Sequence, residues 1–407
     1  MKILQIDKYH YIKGGAETVF FNTIDLLEEK GHTAIPFCLK STKNRPSIYE
    51  KYFVDYPELS ESSVLTKIKK TPAFFYNKES ARKLEQLILQ EKPDIAHIHL
   101  LFNGISVSIL PVLQKYKIPI VMTAHDHRLI CPAYAFTNGK QELCEICKES
   151  KQYWRCITNK CSKGNLTNSI LLSLDCYFRE YFYPPIKLID QFIFVSKFSQ
   201  NKHFEANPIY AEKSTHLYNF TPIVQDGNST KENYILYFGR ISEEKGISTL
   251  IKAMKSFPHI HLKIAGTGPL LQKLSADKTD NISFLGFKEG QELKELISKA
   301  RFVVVPSECY ENNPLTIIEA MTLSTPIIGS NIGGIPELIQ SNITGYLFSP
   351  GSIEELTKVI DHAINLEPSK YQQMVKATKE YAFLNFSKEA HYTRLMNIYK
   401  STIENYN

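Results

Sequence analysis

Two carboxylates eight residues apart, Glu311 and Glu319, stand at the centre of the most chemically suggestive stretch of this 407-residue chain, Pro306-Ser-Glu-Cys-Tyr-Glu-Asn-Asn-Pro-Leu-Thr-Ile-Ile-Glu-Ala-Met321. An apolar strand ends at Pro306. Asn313 is a favoured N-cap residue and Pro314 a favoured first helical residue, so a helix is expected to open there. Its first unpaired amides, on Leu315 and Thr316, make a ready anion site at the carboxyl end of a parallel strand. A diphosphate held on those amides places Glu311 beside a sugar on one side. On the other side it places Glu319 at ribose hydroxyls, the role an acid plays in dinucleotide sites.

A glutamate pair by itself reads more readily as two solvated carboxylates on a helix face. The surroundings change the balance. Gly239-Arg240 and Lys245 flank an earlier loop of the same region, where a cationic pair can neutralise a diphosphate leaving group. Gly266 and Gly268 form a small-residue turn after another strand, and Phe287 follows the next strand at a place suited to a base. Each signal is weak alone; their order within one domain is informative.

The elements that must position these residues repeat a pattern. Residues 2–6 (KILQI) form a short apolar strand, followed by a Gly14-Gly15 loop and a helix from Glu17 to Lys30. Residues 234–238 (YILYF) open the second half likewise, with Gly239, a charged loop to Gly246 and a helix from Ile247. Further strands are expected at 95–99, 120–123, 192–196, 261–265, 282–285, 302–306 and 326–329. Most are short apolar runs, as strands covered on both faces should be. Strand, glycine-bearing loop and helix in series predict an α/β chain of two Rossmann-like, doubly wound domains with ligands in the cleft between them. Length agrees, since one core rarely serves more than about 250–300 residues. The expected domains are 1–222 and 223–386, with the polar stretch 221–233 as linker. A helix over 387–407 is expected to pack back on the first domain.

The motif order YFGRISEEKG (237–246), AGTGPL (265–270), FLGF (284–287), ENNPLTIIEAM (311–321) and GGIPELI (333–339) resembles the donor domain of retaining GT-B enzymes of glycosyltransferase family 4. GGAETVFFNTIDLLEEKGH (14–32), DIAHIHL (94–100), TAHD (123–126), FVSKFS (194–199) and YNF (218–220) resemble the acceptor side of the same family, so the likeness spans nearly the whole chain. It implies transfer of a hexose from a nucleotide sugar, a UDP-sugar by preference, to a saccharide or lipid-linked acceptor in cell-surface polysaccharide synthesis. It also implies retention of configuration, with no metal or other cofactor needed for the chemistry. The leaving phosphate would help take the acceptor's proton, His125 would sit over the sugar, and Gly15 would let its loop approach the donor closely. One departure concerns Pro314, where many members have glycine; proline removes an amide donor, so phosphate binding must rest on Leu315 and Thr316. The catalytic set is therefore His125, Glu311, Arg240 and Lys245. The donor set adds Gly15, Gly239, Gly266, Gly268, Phe287, Asn313, Leu315, Thr316 and Glu319.

Six of the eight cysteines lie between Cys131 and Cys176. Cys144-x2-Cys147 with Cys156 and Cys161 can make a four-thiolate structural zinc site, or the same residues can pack as small reduced hydrophobes. The segment 166–189 that follows is rich in leucine and aromatics; it suits a membrane or acceptor lipid, or a place in the core. The formal charge is +6, and residues 1–220 carry the excess, with 29 Lys+Arg against 22 Asp+Glu. That bias suits an anionic membrane surface or substrate. No basic block interleaved with aromatics points to nucleic acid. With no signal peptide and no apolar run of about 18 residues, the expected location is the cytoplasm, at most peripheral on the inner membrane face. Alternatives are another nucleotide-sugar enzyme on the same scaffold, such as an epimerase or phosphorylase, and a non-catalytic binding subunit.

Overall fold

A computed structural model describes residues 1–56, 71–223 and 230–406; part of the expected linker, 224–229, lies outside them. The chain divides into two compact units, Met1–Leu217 with Tyr392–Asn407, and Tyr218–His391. Each is built on a six-stranded, all-parallel sheet.

In the first unit the strands are β1 (Lys2–Ile6), β2 (Thr33–Phe37), β3 (Ile95–Ile98), β4 (Ile120–Ala124), β5 (Gln191–Phe194) and β6 (Ser214–His216). Their spatial order is β2-β1-β3-β4-β5-β6. β3 and β4 are buried along their whole length, which is why they read as continuous apolar runs. β2 carries Pro36, which cannot donate to a ladder; the strand sits at the sheet edge, where that loss is tolerated.

The second unit holds β7 (Tyr234–Phe238), β8 (His261–Ala265), β9 (Ile282–Gly286), β10 (Phe302–Val305), β11 (Ile327–Ser330) and β12 (Gly345–Phe348). Read from β9, the order is β9-β8-β7-β10-β11-β12. This is the 3-2-1-4-5-6 arrangement of dinucleotide-binding sheets, with its chain reversal between β7 and β10. In the first sheet the reversal falls between β1 and β3. Ligands of open α/β sheets bind outside the carboxyl ends of the strands at such points. The loops after β7 and β10 and those after β1 and β3 are therefore where function is to be sought.

The boundary between the units falls at 217/218, ahead of the expected 222. Tyr218 packs in the second unit's core with Phe386 and Ala382, and Asn219 bonds to Asn313. The helix Lys388–Tyr406 contributes Leu395, Met396, Ile398 and Tyr399 to a first-unit cluster with Ile3, Ile95, Val121 and Ile193.

Candidate active site

In the second unit, the loop after β7 rests directly on the loop after β10. Gly246 adopts a left-handed conformation (φ 65°), and a Cβ there would lie 1.8 Å from the Pro306 carbonyl oxygen. The Glu308 amide donates to the Glu244 carbonyl at 2.9 Å. Gly266 and Gly268 are needed for similar reasons: Cβ atoms would fall 1.9 Å from the Gly239 oxygen and 2.1 Å from the Ile241 oxygen. These two glycines thus let the loops after β7 and β8 close on each other. Gly239 continues the sheet, its amide donating to the Ala265 carbonyl at 3.0 Å.

This packing brings Lys245 to Glu311. Lys245 Nζ lies 2.5 Å from Glu311 Oε1, which also accepts from Ser307 Oγ at 2.8 Å. Burial acts to lower the Lys245 pKa, but the charge and hydrogen bond of Glu311 prevail and hold it above the ordinary lysine value. Nothing in the spacing of the two residues foretold this pairing. The backbone of Glu311 is fixed in turn by Gly334, whose amide donates to its carbonyl at 2.6 Å. Arg240 is exposed, and among the described residues its guanidinium meets no carboxylate. Phe287, just past β9, is 67% exposed, so its ring face is open to a ligand.

The helix after β10 runs Leu315–Thr322, with Pro314 as its N-cap. This corrects the expected cap. Asn313 does not cap the helix: its Oδ1 accepts the Asn219 amide at 2.8 Å, and its carbonyl accepts from Asn219 Nδ2 at 3.2 Å. A tertiary partner has taken the group that local propensity assigned to the helix. Leu315 and Thr316 remain the helix's first residues, and their amides precede the first helical turn. Glu319 is half-buried on the second turn, and burial raises its carboxyl pKa to about 7.

In the first unit, a recess of about 300 Å³ lies at the carboxyl ends of β1, β3 and β4. Lys8, Lys13, Arg128, His99, His125 and Asp126 are among its lining residues. His125 is half-buried, and burial pulls its imidazole down to about 4, leaving it neutral. A chain of hydrogen bonds runs inward from it. His125 Nε2 meets His99 Nδ1 at 3.0 Å, and His99 Nε2 meets Gln5 Oε1 at 3.1 Å. Gln5 Nε2 reaches the Tyr399 hydroxyl at 3.5 Å. That hydroxyl meets His97 Nδ1 at 2.7 Å, and His97 Nε2 meets Thr123 Oγ1 at 2.7 Å. Because Gln5 Oε1 only accepts, His99 must donate from Nε2 and accept at Nδ1. His125 then donates from Nε2, and its unprotonated nitrogen is Nδ1. Sequence reasoning found His125 but missed this relay. His97 and His99 looked like ordinary strand residues, and Tyr399 lies some three hundred residues away.

Gly15 begins the helix Gly15–Glu29 and is exposed. The carboxyl of buried Glu17 already engages the Gly14 and Glu17 amides at this helix start, and burial raises its pKa. A donor phosphate at Gly15 would have to displace that carboxyl.

All eight cysteines are free thiols. Cys156 and Cys161 hydrogen-bond to each other, and burial lifts Cys147 to about 12. Among the described residues no three His, Cys, Asp or Glu side chains are gathered as metal ligands would be. Cys147 lies within electrostatic reach of Cys144 and Cys161, and Cys156 within reach of Cys147 and Cys161.

Two family descriptions match this chain: Glycosyltransferase Family 4 over residues 13–223, and Glycosyl transferases group 1 over 221–381. The chain belongs to glycosyltransferase family 4. An uncharacterized glycosyltransferase of Methanocaldococcus jannaschii is 30% identical over 190 residues, covering 44% of this chain and 47% of that protein. An uncharacterized protein of the cps region of Klebsiella pneumoniae is 24% identical, covering 81% of this chain and 84% of its own. The sulfoquinovosyl transferase of Arabidopsis thaliana is 26% identical, covering 72% and 56%. This chain thus spans about half the length of the archaeal and plant relatives. Among solved structures, Anabaena HepE in complex with UDP superposes with a TM-score of 0.69 at 17% identity, covering 98% of this chain and all of that one. Sucrose-phosphate synthase of Thermosynechococcus elongatus gives 0.68 at 17% identity, covering 98% of each. The fold is therefore GT-B, and the two sheets of this family-4 chain match those structures.

Proposed function

We propose that this glycosyltransferase moves a hexose, with retention of configuration, from a UDP-sugar to a lipid-linked or other saccharide acceptor during cell-surface polysaccharide assembly. Its place is the cytoplasm, against the inner membrane face. The observation that carries the reading is the arrangement at the second sheet's reversal point, where the Lys245–Glu311 pair lies beside the open amides of Leu315 and Thr316, with Glu319 one helical stretch beyond. Those amides and Arg240 suit a diphosphate without a metal ion. Lys245 is shared between Glu311 and the incoming phosphate. Glu311 orients the sugar, and Glu319 accepts from ribose hydroxyls. Support for the uridine donor comes from solved structures of Anabaena HepE with UDP and with UDP-glucose. Support for polysaccharide assembly comes from the Klebsiella relative's cps region.

His125, donating inward from Nε2, lines the recess where a sugar or the acceptor would lie. The first-unit recess sets Lys8, Lys13 and Arg128 against a single acid, Asp126. That balance favours an acceptor bearing phosphate, which selects lipid-linked saccharides over neutral ones.

The test is a thermal-shift screen with UDP, GDP and ADP and their sugars, followed by donor hydrolysis. A ligand at a hundredfold its Kd should add about 2.7 kcal/mol of stability. If no nucleoside diphosphate stabilises the protein, or if the one that does is attached to a sugar the protein never cleaves, the enzymatic reading fails.

A further inference from the structure

The helix Leu166–Phe182 is turned inside out. Its buried face is polar: Ser169, Ser173, Asp175, Cys176 and Arg179 are all 5% exposed or less. Its open face carries the exposed Leu166, Leu174, Tyr181 and Phe182, with Ile170, Tyr177 and Phe178 half-buried along the same stripe, Tyr177 against Tyr153 and Phe178 against Phe75. Tyr181 is 76% exposed and Phe182 69%. Four of the large apolar side chains of this helix, Leu166, Leu174, Tyr181 and Phe182, thus stay at the surface and fill no core. The inner face is held by chemistry a core helix would not need. Arg179 pairs with Asp175 at 2.9 Å, stacks on the Phe102 ring at 4.0 Å and donates to the Arg128 carbonyl at 3.3 Å. Phe102 and Arg128 line the first-unit recess, so the helix is anchored to the wall of that recess.

Ahead of the helix the charge is one-sided. Between Lys151 and Leu174 stand Lys151, Arg155, Lys160 and Lys163 and no acid. The acids that flank this stretch are Glu149 and the buried Asp175, which Arg179 takes up; Glu180, further along the helix, pairs with Lys151 at 2.6 Å. Trp154, 49% exposed, stands among these cations with Arg155 over its ring. Tryptophan, tyrosine and basic side chains bordering an apolar stripe are what a bilayer interface selects.

We propose that this face, Trp154 with the open stripe of the Leu166–Phe182 helix and the cations between them, docks the protein on an anionic lipid bilayer. A second copy of the chain is the less suitable occupant, because two identical cationic faces repel and lysine is depleted at protein interfaces. The proposal deepens the functional reading and rests on it for its purpose: the anchored recess would meet the lipid-linked acceptor at the headgroups. The surface itself stands on the geometry.

The test is sedimentation with vesicles of equal parts phosphatidylglycerol and phosphatidylcholine, compared with pure phosphatidylcholine, at low and high salt. Wild type should partition onto the anionic vesicles and be weakened by salt. Reversing two cations, Lys160→Glu with Lys163→Glu, should lower partition by roughly tenfold or more. Leu174→Ser with Tyr181→Ser and Phe182→Ser should lower it at least as far. These exposed positions should leave the melting temperature, UDP affinity and donor hydrolysis in vesicle-free solution unchanged. Absence of wild-type partition, equal partition by the variants, or a wild-type dimer that the triple variant dissociates would each overturn the proposal. Loss of donor hydrolysis by wild type would instead overturn the functional reading alone.

Discussion

Replacing Glu319 with glutamine should make the ligand-free protein more stable, and only on the alkaline side. The carboxyl is half-buried, and burial is the whole cause of its rise from an ordinary 4.5 to about 7. Between those two values the folded state holds a proton that the unfolded chain has released. Stability therefore falls as pH climbs through that window. At about 1.4 kcal/mol per pH unit, the ionised form costs the folded state about 3 kcal/mol once pH exceeds 7. Glutamine keeps the shape and removes the charge. Denaturant unfolding should give Glu319→Gln a margin over wild type that is constant below about pH 4.5, opens through the window and reaches about 1–3 kcal/mol by pH 8. Ribose hydroxyls donating to the carboxylate favour its ionised form. UDP should accordingly bind wild type more tightly at pH 8 than at pH 6, and bind the variant about tenfold or more weakly, the worth of a charge-assisted hydrogen bond. A margin independent of pH would refute the idea that burial strains this carboxylate. An unchanged UDP affinity would refute its place at the ribose.

Three further outcomes are expected. Glu311→Gln should cut transfer by roughly tenfold to a hundredfold while leaving UDP affinity intact or improved, because Lys245 is released to the phosphates; calorimetric titration that finds the nucleotide lost would mean the donor lies the other way along the helix. Gly246→Ala should cost at least about 2 kcal/mol in thermal unfolding, from the left-handed backbone and the Pro306 carbonyl in the way of a Cβ; a normal melting temperature would show that the two loops can part without cost. Transfer should survive exhaustive chelation with EDTA, and loss restored by Mg2+ or Mn2+ in an activity assay would remove Arg240 from the role given to it.

Much of the frame was legible because the physics is local. Apolar strands covered on both faces and glycines at crossing loops leave marks that need no tertiary knowledge, so β1, β7 and β8 were found at their observed bounds. β2 was missed because Pro36 argues against a strand everywhere except at an edge, and β6 because three residues carry no pattern. The site was legible in composition but not in wiring. Glu311 and Lys245 could be named from sequence, but their ion pair depends on loops brought together by a reversal in strand order. Asn313 looked like a cap until Asn219 claimed it.

The late helix Lys388–Tyr406 has a consequence for how the molecule is made. Tyr399 is fully buried in the first unit, and its hydroxyl joins Gln5 to His97. The first sheet is synthesised first, yet its core and the relay that sets the His125 tautomer stay incomplete until Tyr399 has left the ribosome. The second unit, continuous from Tyr218 to His391, can close before the first one does. A nascent chain therefore exposes the underside of β1, β3 and β4 throughout the making of the second unit. The relay closes only with the tyrosine that tells a histidine two hundred and seventy-four residues upstream which nitrogen to protonate.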